Sequence, residues 1–200
     1  MRIIGITGGI GTGKSTILHL LGDKYQAYIV ETDKLAHQLM MPGEHAYEKI
    51  VKHFGIEILL EDGSIDREKL GRLVFQNETE LAALNAIVHP AVKQYILEDI
   101  EEKKKAGLVK IYVIEAALLI EDGYKAICDE IWYIYVEKEE RIRRLITGRG
   151  GNREKWESVI NNQSSEEFYR ENCNQIVENG GDIQKTAERI QHLLFGNNMA

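Results

Sequence analysis

Cysteine is almost missing from this chain: of 200 residues, only Cys128 and Cys173 are cysteines. They stand far apart without CxxC spacing, which excludes a disulfide scaffold and a zinc site of the usual pattern and fits a reducing cytosol. Long apolar runs are also lacking. Met1 to Ile4 are followed within a few positions by glycines, so the start reads neither as a secretory signal nor as a membrane span. A cytoplasmic location is therefore expected. Positive charge is in short supply: 25 Lys and Arg stand against 32 Asp and Glu, for a net charge of −7, with no long basic tract. That argues against broad binding to nucleic acid or to an anionic membrane surface. Internal repeats and low-complexity tracts are absent too.

What is present is a chain of ordinary globular composition, long enough for one domain with a small inserted lobe. Ile3 to Thr7 reads as a short buried strand, Ser15 to Leu21 as a helix and Tyr28 to Thr32 as a second strand. Leu35 to Met40 and Tyr47 to Phe54 read as helices separated by the breaker pair Pro42-Gly43. Asp66 reads as the N-cap of a helix running to Phe75. Glu78 to Lys105 has a long helical pattern that Pro90 is expected to kink or restart. Val109 to Glu115 and Glu130 to Val136 are rich in β-branched and aromatic residues and read as strands. After them come a charged helix from Lys138 to Ile146, a flexible patch at Gly148-Arg149-Gly150-Gly151, a helix from Glu154 to Glu171, a strand from Gln175 to Glu178 and a closing helix from Ile183 to Leu194. Strands alternating with helices predict a mostly parallel sheet covered on both faces, whose ligands bind beyond the carboxyl ends of the strands.

Directly behind the first strand, Gly8-Gly9-Ile10-Gly11-Thr12-Gly13-Lys14-Ser15 matches G-x-x-x-x-G-K-[ST] in full, in a strand–loop–helix context. Glycines keep side chains out of the loop, so consecutive backbone N–H groups can converge on phosphate oxygens. The helix beginning near Lys14 adds unpaired N–H groups and the positive end of its dipole. Lys14 is expected to reach the β- and γ-phosphates of ATP, and the Ser15 hydroxyl to ligate Mg²⁺. Neither an N-K-x-D guanine reader nor a D-x-x-G follows, which disfavours a small GTPase. Asp33 falls just after the second strand. Its carboxylate suits three roles: accepting a proton from an acceptor hydroxyl, positioning Mg²⁺ through water, and capping the helix that follows.

Beyond the phosphate loop, several stretches occur in one order: Thr32-Asp33-Lys34-Leu35-Ala36-His37, Phe54-Gly55, Asp62 to Leu70 (DGSIDREKL), Val74-Phe75, Leu84 to Pro90 (LNAIVHP) and Ala117 to Glu121 (ALLIE). With Gln163 and Glu178-Asn179-Gly180, they make nearly the whole chain similar to the dephospho-coenzyme A kinases. The resemblance implies an α/β P-loop nucleoside-triphosphate hydrolase-like fold in three layers, with a parallel five-stranded sheet, a helical acceptor-binding lobe and a small lid. It implies one kinase domain comprising a core (about 1–40, 106–148 and 173–200), the acceptor lobe (about 41–105) and the lid (about 149–172). The implied reaction moves the γ-phosphoryl group of ATP, with Mg²⁺, to the ribose 3′-hydroxyl of dephospho-coenzyme A, in a monomer. Carried over by motif, Asp33 would be the general base and Gly11, Thr12, Gly13, Lys14, Ser15 and Thr16 would hold ATP together with Gly8 and Gly9. His37, Arg67, His89 and Glu115 would touch the acceptor. Taken as bare residues, Arg67 equally suits a surface ion pair at a helix start, and His89 a packed histidine beside Pro90.

Arg141, Arg143, Arg144 and Arg149 crowd one helix and the glycine patch after it. An arginine closing over ATP stabilises charge on the transferring phosphoryl group, and Arg149 at the expected hinge and Arg144 are the candidates. Arg143 reads as a solvated residue balanced by neighbouring glutamates. The chain departs from the family in three places. Glu115-Ala116-Ala117-Leu118-Leu119-Ile120-Glu121 stands for an Asp-x-Pro-Leu-Leu-Phe-Glu, with the proline and phenylalanine missing, Cys173-Asn174 for an Ala-Asp, and Val159 for an arginine. Two rival functions remain open on the residues alone: a kinase of another small acceptor, such as a nucleoside monophosphate, and a module that senses ATP without turnover.

Overall fold

The computed structural model describes residues 1–196. Within them the chain divides into two compact units, one formed by Met1–Ile29 and the chain from Val109 on, the other by Val30–Leu108. Five strands make a sheet: β1 (Arg2–Thr7), β2 (Tyr28–Glu31), β3 (Ile111–Glu115), β4 (Glu130–Tyr135) and β5 (Gln175–Glu178). Their order is β2-β3-β1-β4-β5, and β1 pairs in parallel with both β3 and β4, as β4 does with β5. β1 is thus central, which is why its residues from Ile3 to Thr7 are all buried and read as a continuous apolar run rather than an alternating one. Every parallel crossover brings the chain back to the same edge, so Thr7 and Glu115 lie at carboxyl ends on one rim of the sheet.

The first unit packs helices on both faces of this sheet. On one face, α1 (Lys14–Tyr25) and α9 (Ile183–Phe195) bring Ile17, Leu18, Leu21 and Ile190 against Ile4, Ile6, Val113, Trp132, Ile134 and Val177. On the other face, Tyr133 of β4 stacks on Tyr169 of α8 (Glu166–Asn172), with ring centroids 4.7 Å apart. The expected helix from Glu154 to Glu171 is two helices, α7 (Arg153–Asn161) and α8. Asn152 caps α7 by accepting from the Lys155 N–H, and Ser165 restarts the chain by accepting from the Phe168 N–H at 3.2 Å. In front of them α6 (Lys138–Arg149) runs through Gly148 to Arg149, so the expected glycine patch is helical for its first two residues and ends at Gly150.

In the second unit, α2 (Thr32–Leu39), α3 (Tyr47–Phe54) and α4 (Arg67–Phe75) pack with α5 (Glu78–Ala106). Asp66 caps α4 as expected, accepting from the Lys69 N–H at 3.0 Å. α5 does not break at Pro90. Proline removes the one bond to the Ala86 carbonyl, but Val88, Val92, Ile96 and Ile100 form a buried stripe on both sides of it, and that packing outweighs the missing bond. The helix ends at Gly107, in the left-handed conformation. Among the described residues no helix is long and apolar enough to cross a membrane.

Candidate active site

The phosphate loop, residues 8–15, leaves the rim of β1 and enters α1. Its carbonyl groups are drawn away by donors from the protein. Gly8 O accepts from Lys14 Nζ at 2.9 Å, Gly9 O from the Thr12 hydroxyl at 2.8 Å, Ile10 O from Arg141 Nε at 2.8 Å and Thr12 O from Asn179 Nδ2 at 2.9 Å. The N–H groups of Ile10 and Thr12 are also spent inside the protein, on Gln163 Oε1 at 3.0 Å and Gly9 O at 3.4 Å, so an anion would be served by the other amides of the loop, from Gly11 and from Gly13 on into α1. α1 contributes in the same sense: its N-cap is Gly13, left-handed at φ 82°, and no side chain caps it. A cap residue would occupy the amides that a phosphate needs. Thr12 is buried, while Ser15 and Thr16 are exposed at the first turn of α1, where a hydroxyl is available to a cation.

Lys14 lies over this loop, its ammonium 3.4 Å from Glu115 Oε1 at the end of β3. Both side chains are mostly shielded, with 18% and 13% of their surface exposed. Glutamate at 115 therefore reaches the phosphate-loop lysine from the neighbouring strand. Arg144 stands beside the loop: its Nη1 is 3.6 Å from where a Gly13 Cβ would be, and it is bonded to Glu140 at 2.7 Å and to the Asn179 carbonyl at 2.8 Å. Arg143 pairs with the same Glu140 through two 2.7 Å bonds on the exposed side, as a solvated residue should. The two guanidiniums hold the Glu140 carboxyl down at about 2. Arg149 is the last residue of α6, is exposed, and makes no ion pair among the described residues.

In the second unit, Asp33 is not a helix cap. α2 already starts at Thr32, with Glu31 at the cap position, so Asp33 sits within the first turn with an exposed carboxylate. The capping role expected from the sequence fails because β2 ends one residue earlier than expected. One turn on, His37 Nε2 lies 2.6 Å from Arg67 Nη2. A guanidinium can only donate, so Nε2 accepts and the imidazole is neutral with its proton on Nδ1. Burial, and then the Arg67 charge, lower the His37 pKa, while Asp33 acts in the opposite direction. Arg67 therefore joins His37 rather than the acidic partner expected of a surface ion pair. His89 is half-buried in α5 just before the exposed Pro90.

Two of the departures from the family pattern have local explanations. Asn174 Oδ1 accepts from the Ile131 N–H at 2.7 Å, and an amide oxygen serves there as a carboxylate would. Val159 packs against the cluster of Ile142, Leu145, Trp156 and Ile160. Burial pushes the thiols of Cys128 and Cys173 up to about 12, leaving them protonated and inert. Two contributors escaped the sequence reading: Asn179, which ties Thr12 back, and Arg141, which holds Ile10. No spacing rule connects residues 167 positions apart; proximity of the β5 end to the β1 end does.

A family model described as dephospho-CoA kinase matches residues 2–185. A dephospho-CoA kinase of Carboxydothermus hydrogenoformans is 39% identical over 97% of this chain and 93% of its own length. One from Geobacter sulfurreducens is 36% identical, with 96% and 97% covered. The solved dephospho-CoA kinase from Campylobacter jejuni superposes with a TM-score of 0.73 at 25% identity, over 98% of this chain and 100% of the other. The match runs through the phosphate loop, the Asp33 turn and the Glu178-Asn179-Gly180 stretch alike, and the chain belongs to the dephospho-CoA kinase family.

Proposed function

We propose that this chain transfers the γ-phosphoryl group of ATP to the ribose 3′-hydroxyl of dephospho-coenzyme A, the final step of coenzyme A biosynthesis. The observation that carries the donor half is the phosphate loop whose carbonyls are tied back and whose helix has no side-chain cap. The acceptor half rests on membership of the family.

Gly8, Gly9, Gly11, Thr12 and Gly13 would supply the backbone cradle, with Lys14 released from Glu115 onto the β- and γ-phosphates. Ser15 and Thr16, exposed at the start of α1, fit the remaining contacts, and the Ser15 hydroxyl is a donor suited to Mg²⁺. When bound, the cation would neutralise charge on the phosphate oxygens. Asp33 would take the proton of the 3′-hydroxyl as its oxygen forms a bond to the γ-phosphorus and the bond to the departing ADP breaks. Its exposed carboxylate, free of a capping duty, supports that role. Arg144 and Arg149 would balance the charge spread over the transferring group, Arg149 from a lid of about 149–172 that excludes water. His37, Arg67, His89 and Glu115 would contact the acceptor, the first three from a lobe of α2 to α5. The test is to incubate the protein with ATP, Mg²⁺ and a panel of acceptors and identify products by mass. Phosphorylated dephospho-coenzyme A is the expected result. A product from nucleoside monophosphates alone, or ATP binding with no product, would refute it.

A further inference from the structure

Ile10, at the tip of the phosphate loop, is gripped from three sides. Its N–H donates to Gln163 Oε1 at 3.0 Å, and its carbonyl accepts from Arg141 Nε at 2.8 Å. Arg141 Nη2 closes the ring by donating to the same Gln163 oxygen at 2.7 Å. The Ile10 side chain packs on Ile142, Leu145, Trp156 and Ile160 from α6 and α7. Gly9 leaves room for this ring, since a Cβ there would overlap both the Arg141 guanidinium and the Gln163 oxygen and force them to move.

Holding Ile10 needs hydrogen bonds but no charge, yet the donor is a guanidinium. Arg141 is about half-buried and, among the described residues, has no carboxylate within ion-pair distance. Its other neighbours of note are Tyr133 and Tyr169, which are neutral at ordinary pH. Glu166 lines a 430 Å³ cavity together with Arg141 and Gln163, but its carboxylate is engaged by Arg170 at 2.6 Å. Burial lowers the Arg141 pKa, as expected of a cation without an anion. A shielded charge left unbalanced in the protein alone is costly unless a bound anion balances it.

We infer that Arg141, through Gln163, is a positioning residue of the phosphate loop: it fixes Ile10 so that the following amides converge, and its charge is balanced by the polyphosphate of the bound nucleotide. The inference rests on the loop being the nucleotide site. It is tested by calorimetric binding of ADP and of AMP, with thermal midpoints, for Arg141→Met and Gln163→Glu. Arg141→Met should weaken ADP by about tenfold and AMP by less than about twofold, the scale of one nearby charge acting on the β-phosphate. Gln163→Glu keeps an acceptor for Ile10 and for Arg141 but pairs the guanidinium, so it should hold or raise the thermal midpoint while still weakening ADP. That second variant decides the matter if Arg141→Met does not fold. ADP affinity within about twofold of the unsubstituted protein in the folded variants would overturn the inference. Equal losses for ADP and AMP would do so too, by making the effect one of general structure. If the unsubstituted protein bound no ADP, the nucleotide-site reading would fall first and this inference with it.

Discussion

Replacing Gly13 by alanine perturbs one atom whose surroundings are fully known. Gly13 has φ 82° and ψ 31°, a conformation that costs an L-residue about 1 kcal/mol. The added methyl would lie 2.5 Å from Asn179 Nδ2, too close for any real contact, so Asn179 must move. Asn179 is only 5% exposed and spends that nitrogen on the Thr12 carbonyl at 2.9 Å. Moving it leaves a buried donor and acceptor apart, for about 1–3 kcal/mol. The total is about 2–4 kcal/mol, which lowers the thermal midpoint of a chain of this size by about 10 °C. The control is Gly107→Ala, at φ 70° with open space around it, where only the conformational cost of about 1 kcal/mol applies. Denaturant unfolding and differential scanning calorimetry of Gly13→Ala, Asn179→Ala and the double variant complete the cycle. In the Asn179→Ala background, the Gly13 substitution should shrink to its conformational part. If it costs the same in both backgrounds, or no more than Gly107→Ala does, the overlap with Asn179 is not what demands a glycine and the reasoning is wrong.

Asp33→Asn should lower turnover by about 10²–10⁴ while ATP binding measured by calorimetry stays unchanged, because the exposed carboxylate caps nothing; retained turnover would rule out a general base there. His37 is neutral with its pKa below the ordinary value, so the folded state gains nothing from protonating it. Its contribution to stability is full above about pH 6.5 and declines as pH falls through the lowered pKa. An NMR titration of Arg67→Ala should show that pKa move upward, and an unmoved value would mean that the Arg67 contact is absent in solution. Cys128 and Cys173, half-buried with thiols pushed up to about 12, should react with a thiol-specific disulfide reagent at pH 8 much more slowly in the native protein than after denaturation; equal rates in the two states would contradict their shielding.

Much of this protein is written locally. The phosphate loop is a run of eight residues whose glycines and lysine state their purpose without reference to anything distant. The strand runs around it are similarly legible, as are Asp66 as a cap and the apolar pattern of α5. Each depends on neighbours within a turn or two, and short-range sterics and hydrogen bonding decide it. Where local rules competed with packing, the local rule lost. Pro90 sits inside an unbroken helix because the buried stripe on either side holds it.

What the tertiary structure alone decided is which side chains complete the loop. Gln163 lies 153 positions from Ile10, and Asn179 lies 167 from Thr12. They meet because a parallel sheet delivers the ends of β1, β4 and β5 to one rim, whatever chain runs between them. Among four arginines on one stretch, the sequence could sort faces but not partners. Their separate duties (Arg141 on Ile10, Arg143 on Glu140, Arg144 on Glu140 and Asn179, Arg149 in solvent) follow from what each face of α6 meets across the fold. Spacing along a helix is a local property. The groups that a helix face meets belong to distant parts of the chain, and only folding brings them there.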